Sequence, residues 1–119
     1  MIWVFKNIRK DTALSMPSAL AVLKAREGDC NEHAYLFAAL ARAAGIPTKV
    51  NVGIVYDNGR FLYHAWVSVF VGRWVEMDPT WGQQVVDVAH IVFTEGELEN
   101  QMRIIAVMGK LKAKVISEL

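Results

Sequence analysis

The chain has 119 residues, 13 Lys and Arg against 12 Asp and Glu, and one cysteine. That length favours a single domain over 1–119, one that a longer parent protein can also contain, and 54% apolar residues exclude a disordered chain. A formal net charge of +1 gives no reason to expect nucleic acid or an anionic membrane as partner, and no run approaches the roughly 18 apolar residues of a membrane span.

Lys6, Arg9 and Lys10 interrupt Met1–Lys10, so it does not read as a signal peptide. Met1–Ile8 is read as helix in preference to strand. Ser18 can cap a helix carrying Ala19, Leu20, Val22 and Leu23, with Gly28 expected to end it. Asp29-Cys30-Asn31-Glu32 then has the form of a capping box, an acceptor at the cap and a carboxylate three residues on. Leu36, Phe37, Leu40, Ala41 and Ala44 follow at one-face helical spacing until Gly45 and Pro47 stop the helix.

From Lys49 the period becomes two. Val50, Val52, Ile54 and Tyr56 alternate with small or polar residues, and Asp57-Asn58-Gly59-Arg60 is a turn. Phe61–Val71 is the next strand, and Arg73–Asp78 a short third closed by Pro79. Val85–Phe93 reads as a strand, or as a short helix with a loop. Arg103–Met108 and Lys112–Ile116 read as late strands. Helices first and strands later predict an α+β domain, its N-terminal helices packed on an antiparallel sheet.

Three residues sit where their chemistry is favoured. Cys30 falls in the first turn of a helix, where free N–H groups and the dipole favour a thiolate and can receive an oxyanion. His64 lies in the strand Phe61–Val71, on one face with Leu62, Trp66 and Ser68. Asp78 ends the next strand. A three-residue loop Phe70-Val71-Gly72 pairs 64 with 78 and puts both on one face, whereas a two-residue loop Gly72-Arg73 sends Asp78 to the other. In the first register the carboxylate can hold the imidazole in one tautomer. Each residue has a plainer reading: a small buried hydrophobe for Cys30, a core or surface histidine for His64, a turn former for Asp78. Their joint placement favours catalysis.

These residues also carry a resemblance. Arg26-Glu27-Gly28-Asp29-Cys30-Asn31-Glu32-His33-Ala34 resembles the nucleophile motif of the transglutaminase-like domain, within the papain-like thiol enzymes. Leu40-Ala41-Arg42-Ala43-Ala44-Gly45-Ile46-Pro47 resembles the end of its catalytic helix. Tyr63-His64-Ala65-Trp66-Val67 resembles its histidine motif, and Met77-Asp78-Pro79-Thr80-Trp81 its aspartate motif. The resemblance implies catalytic Cys30, His64 and Asp78, a papain-like α+β fold, and thiol-dependent cleavage or acyl transfer at amide bonds of a protein or peptide substrate. Asn31 stands where well-studied eukaryotic members carry an aromatic residue, and no oxygen-rich calcium loop is visible. In both respects the chain resembles bacterial and archaeal members described as cysteine proteases. Family members can recruit an upstream aromatic side chain near the oxyanion, and Trp3 is the only upstream tryptophan.

Other residues receive plainer expectations. His33, three residues after Cys30, is read as solvated helix surface before a rival base or a zinc ligand, since no second pair completes four ligands. His90 has no evident partner and reads as a structural or loop residue. Trp66, Trp74 and Trp81 suit a substrate cleft or core packing equally. Asp29 and Glu32 read as caps, and Gly82-Gln83-Gln84 as a cleft rim. No cofactor or metal is expected. Two alternatives to peptide hydrolysis stand: glutamine-to-amine acyl transfer, and a non-catalytic interaction module on the same scaffold.

Overall fold

The computed structural model describes residues 1–10 and 18–95. The late strands expected over 103–108 and 112–116 lie outside the described residues. The first helix, α1, is Ile2–Asn7, followed by the two-residue strand β1, Arg9–Lys10. Helix α2 is Ala19–Ala25; Ser18 caps it, its Oγ accepting from the Ala21 N–H at 3.2 Å. It ends at Arg26, in the left-handed region at φ 59°, two residues before the expected Gly28. Gly28 instead belongs to β2, Glu27–Gly28, which pairs in parallel with β1. Extended backbone cannot also be helix, so this pairing moves the boundary.

Helix α3 is Cys30–Ala43, and its start follows the capping-box pattern. The Asp29 N–H donates to Glu32 Oε2 at 2.9 Å, meeting one of the donors that a helix start leaves open. Strands β3, Thr48–Asp57, and β4, Arg60–Phe70, form a long hairpin. Its two-residue turn has both Asn58 (φ 49°) and Gly59 (φ 77°) in the left-handed region, the requirement of the tight hairpin turn that matches strand twist. Strands β5, Trp74–Met77, and β6, His90–Glu95, complete a four-stranded antiparallel sheet of order β5-β4-β3-β6. The segment left between strand and helix is thus a strand from His90 onward.

The β4–β5 register decides which side chains share a face. Phe70 pairs with Trp74 and Val67 with Met77, so the loop is Val71-Gly72-Arg73. It lies one residue later than the expected Phe70-Val71-Gly72 loop, with Gly72 (φ 88°) in the middle instead of last. The shift moves the register by two and therefore preserves the face. Continued by one residue, it sets Asp78 opposite Trp66, on the face of His64.

The two faces of the sheet do different things. Val50 and Val52 of β3 with Ala65, Val67 and Val69 of β4 pack against Ala34, Leu36, Phe37, Ala38 and Ala41 of α3 in the core. The opposite face carries His64, Trp66 and Ser68, all buried, and Asn51, whose Nδ2 donates to Ser68 Oγ at 2.7 Å. Gly53 lies opposite His64 in the ladder and beside a bulge in the pairing with β6. A Cβ on Gly53 would sit 1.9 Å from the Ile91 carbonyl oxygen, so only glycine admits β6 at this distance. Gly53→Ala should therefore lower stability by about 1–3 kcal/mol, read as a shift of the urea unfolding midpoint with the slope unchanged.

Candidate active site

Asp78 follows β5 at full burial, and both of its oxygens are occupied. Oδ1 accepts the backbone N–H groups of Thr80 (2.9 Å) and Trp81 (3.0 Å), the local turn that an aspartate before proline favours. Oδ2 receives two imidazoles, His64 Nε2 at 2.7 Å and His90 Nε2 at 2.9 Å. An ionised carboxylate only accepts, so both rings present Nε2–H to it. Burial alone would raise this carboxyl's pKa, but the hydrogen bonds from His64 and His90 outweigh it and hold the group well below the usual carboxylate range.

With Nε2–H directed at Asp78, His64 Nδ1 has no hydrogen-bond partner among the described residues. The ring is 5% exposed and held by aromatic neighbours, Trp81 at 4.8 Å and Trp66 at 6.0 Å between centroids. Trp66 is fully buried and donates Nε1–H to Glu76 Oε1 at 2.8 Å. Trp74 is instead 46% exposed on β5, with the Lys49 ammonium 4.2 Å from its ring centre. The three tryptophans therefore have three environments, with Trp81 against the site ring.

Cys30 is the first residue of α3 and is 6% exposed within the core. Its thiol is pushed up to about 12 by burial and by the nearby Asp29 charge, while the N–H groups of Ala65 and Asn31 pull it back only in part. The helix-start position was expected to favour a thiolate. Desolvation in the core and the cap's own negative charge reverse that balance, leaving a neutral thiol at rest. The Ala65 N–H that reaches the sulfur belongs to the peptide joining Ala65 to His64. Cys30 makes no hydrogen bond to His64 among the described residues. The structure thus joins His64 to Asp78 and sets the sulfur against the same strand. Nearby, the Tyr63 hydroxyl donates to Asn31 Oδ1 at 3.1 Å, linking β4 to the second residue of α3.

Two histidines differ from their sequence reading. His33 is fully buried, not solvated: Nδ1 lies 2.7 Å from the Asp29 carbonyl oxygen and Nε2 3.2 Å from that of Ile8. Both nitrogens are thereby spent on backbone, which removes His33 from zinc binding and from service as a rival base. His90 has partners after all. Its side chain is fully buried, with Nε2 on Asp78 and Nδ1 2.9 Å from Asp87 Oδ1. The spacing Asp87-x-x-His90 was the only local sequence signal for this; the contact to Asp78 depends on the sheet. Gln83 pairs with Asp78 through reciprocal backbone bonds of 2.9 and 3.0 Å, so Gly82-Gln83-Gln84 begins at the aspartate's own turn.

The atoms of His64, Asp78 and His90 lie within 4.8 Å of one another, a grouping chemically able to hold a metal ion. They are bonded to each other at 2.7 and 2.9 Å, tighter than the about 3.3 Å between ligands around a tetrahedral zinc. A proton-sharing cluster fits this spacing better than a cation. An apolar cavity of about 620 Å³ below α1, lined by Met1, Trp3, Phe37, Leu40 and Met77 among others, includes none of the three proposed catalytic residues. Trp3 is 44% exposed, with the Arg26 guanidinium 4.9 Å from its ring centre.

The comparisons with known proteins bear on this geometry. A family model described as the transglutaminase-like superfamily matches residues 1–79. The human kyphoscoliosis peptidase is 29% identical over 108 residues, covering 78% of this chain, and the mouse protein of that name is 28% identical over the same length. The chain spans 16% of the length of these relatives. A crystal structure from Cytophaga hutchinsonii, titled a "Putative Cysteine Protease", superposes with a TM-score of 0.72 at 22% identity. That match covers 87% of this chain and 36% of the other, and establishes a shared α+β fold.

Two outcomes follow from the charge states. Asp78 is held below its unfolded value, so its stabilisation is complete above about pH 4 and is lost as pH falls through the depressed folded value. Thermal midpoints of the wild-type chain should fall below about pH 4, and Asp78→Asn should flatten that acid limb. The buried neutral thiol should react with iodoacetamide at about pH 8.5 at least tenfold more slowly in the native than in the urea-unfolded chain.

Proposed function

Since this chain belongs to the transglutaminase-like superfamily, we propose that it is a thiol enzyme acting on amide bonds, with Cys30 as nucleophile, His64 as general base and acid, and Asp78 as the group that orients His64. The observation that carries the reading is the 2.7 Å bond from His64 Nε2–H to Asp78 Oδ2, which leaves Nδ1 as the basic nitrogen on the strand whose backbone meets the sulfur. His64 Nδ1 takes the thiol proton as Cys30 Sγ attacks the substrate carbonyl carbon. The carbonyl π electrons move onto oxygen, where the positive end of the α3 dipole offers stabilisation.

When the tetrahedral species collapses, the C–N bond breaks and His64 gives its proton to the leaving amine. A thioester on Cys30 remains. Water, deprotonated by His64, then attacks the thioester carbonyl; the C–S bond breaks, His64 returns the proton to Cys30 Sγ and a carboxylic acid leaves, or an amine attacks in the same way and leaves as an amide. Peptide hydrolysis is the preferred outcome and transfer to an amine the second; both use the same three groups and differ in what reaches the thioester. The raised thiol pKa makes this a general-base mechanism, in which the proton leaves as the substrate arrives. The proposed reaction requires Cys30 Sγ and His64 Nδ1 to come within hydrogen-bond reach past the peptide between residues 64 and 65 when substrate is bound.

One observation favours a second reading. A thiol only 6% exposed, with its pKa pushed up to about 12, also suits a non-catalytic interaction module that keeps the fold and the cluster. Hydrolysis of fluorescently labelled casein and incorporation of a dansylated primary amine separate the readings. Wild type should turn over one or both, with Cys30→Ser and His64→Gln each lowering kcat by at least about 10³-fold while the proteins stay folded. Folded wild type without turnover in either assay supports the module and refutes the enzyme.

A further inference from the structure

His90 is the one buried ionisable side chain of the cluster to which the proposed reaction assigns no role. Its surroundings are specific. Nε2 meets Asp78 Oδ2 and Nδ1 meets Asp87 Oδ1, each at 2.9 Å. Trp66 and Trp81 stand edge-on to the ring at 5.0 and 5.4 Å, leaving it 0% exposed. The ionisable groups against the ring, among the described residues, are Asp78, Asp87 and His64, the last at 5.8 Å between centroids.

A neutral imidazole has one N–H and one lone pair. Here each ring nitrogen faces a carboxylate oxygen at hydrogen-bond distance, and an ionised carboxylate has nothing to donate. A neutral ring would turn a lone pair onto one of two negative oxygens, whereas an imidazolium satisfies both. The site has the form Asp87–His90–Asp78–His64, with alternating charge on its first three members. We propose that His90 is a positioning residue held as an imidazolium between Asp87 and Asp78, and that it fixes the carboxylate on which His64 depends.

Two consequences follow. Oδ1 is pinned by two backbone N–H groups and Oδ2 by His90, so Asp78 cannot rotate away when His64 releases or takes a proton. The positive ring also offsets part of the Asp78 charge. The balance at His90 runs the same way: burial disfavours its charge, but the bonds to Asp78 and Asp87 outweigh that. The inference about role rests on the proposed reaction; the charge state of His90 does not.

The experiment reads the two parts separately in the full 119-residue chain. Long-range proton–nitrogen spectra of ¹⁵N-labelled protein should show both His90 ring nitrogens protonated from about pH 6 to 8, well past the free-histidine midpoint. Asp87→Asn, at a side chain 52% exposed and so tolerant of change, should move the His90 midpoint downward. A lone-pair nitrogen signal at His90 near pH 7 in the wild type overturns the charge assignment. In casein hydrolysis His90→Ala should lower kcat by about 10²-fold with KM little changed, and His90→Gln, which keeps an N–H for Asp78, should recover part of the loss. Unchanged kcat in folded His90→Ala overturns the positioning role. A wild type inactive in every assay refutes the proposed reaction and the positioning role with it, and the spectra still decide the charge state.

Discussion

The carboxylate of Asp78 is the constraint around which the rest of this molecule is arranged. A fully buried negative charge is tolerable only if nearby donors replace the water it has lost, and Asp78 has four: two backbone N–H groups and two imidazoles. Supplying them draws on three distant parts of the chain. The strand β4 contributes His64, the turn after β5 contributes Thr80 and Trp81, and the first residue of β6 contributes His90. None of these donors can be moved without leaving part of the charge unpaired. The sheet order β5-β4-β3-β6 is what allows residues on either side of the central hairpin to converge on one oxygen.

The same economy explains why the polar cluster lies on one face of the sheet and the aliphatic core on the other. Alternation along β4 sends Ala65, Val67 and Val69 to α3, and His64, Trp66 and Ser68 away from it. The helix face needs close packing to hold α3. The far face needs satisfied donors and acceptors, and obtains them from Asn51, Glu76, Asp78 and Asp87. Cys30 meets β4 from the helix side, at the peptide bond between a residue of each face. That location gives its sulfur a hydrophobic setting and a neutral resting state.

Much of this was legible in the residues themselves. Ser18, the Asp29–Glu32 box and the Asp57–Arg60 turn mark their elements through local chemistry, which does not depend on distant contacts. The face shared by His64 and Asp78 was legible only as a choice between registers. The loop that forms differs by one position from the one expected, and the outcome survives because strand faces repeat every second residue. His90 and His33 were misread for a common reason. Each is satisfied by a group far along the chain, Asp78 in one case and the Ile8 carbonyl in the other, and no local pattern announces such partners. The state of Cys30 was misjudged because the helix-end field is visible in sequence and the depth of burial is not.

The placement of His33 links two regions that the sequence keeps apart. One ring spans the carbonyl at the end of α1 and the carbonyl that caps α3, immediately before Cys30. Helix α1 is therefore tied through this ring to the backbone that precedes Cys30. A displacement of α1 would carry the Ile8 carbonyl away from the ring that also meets the residue just before Cys30.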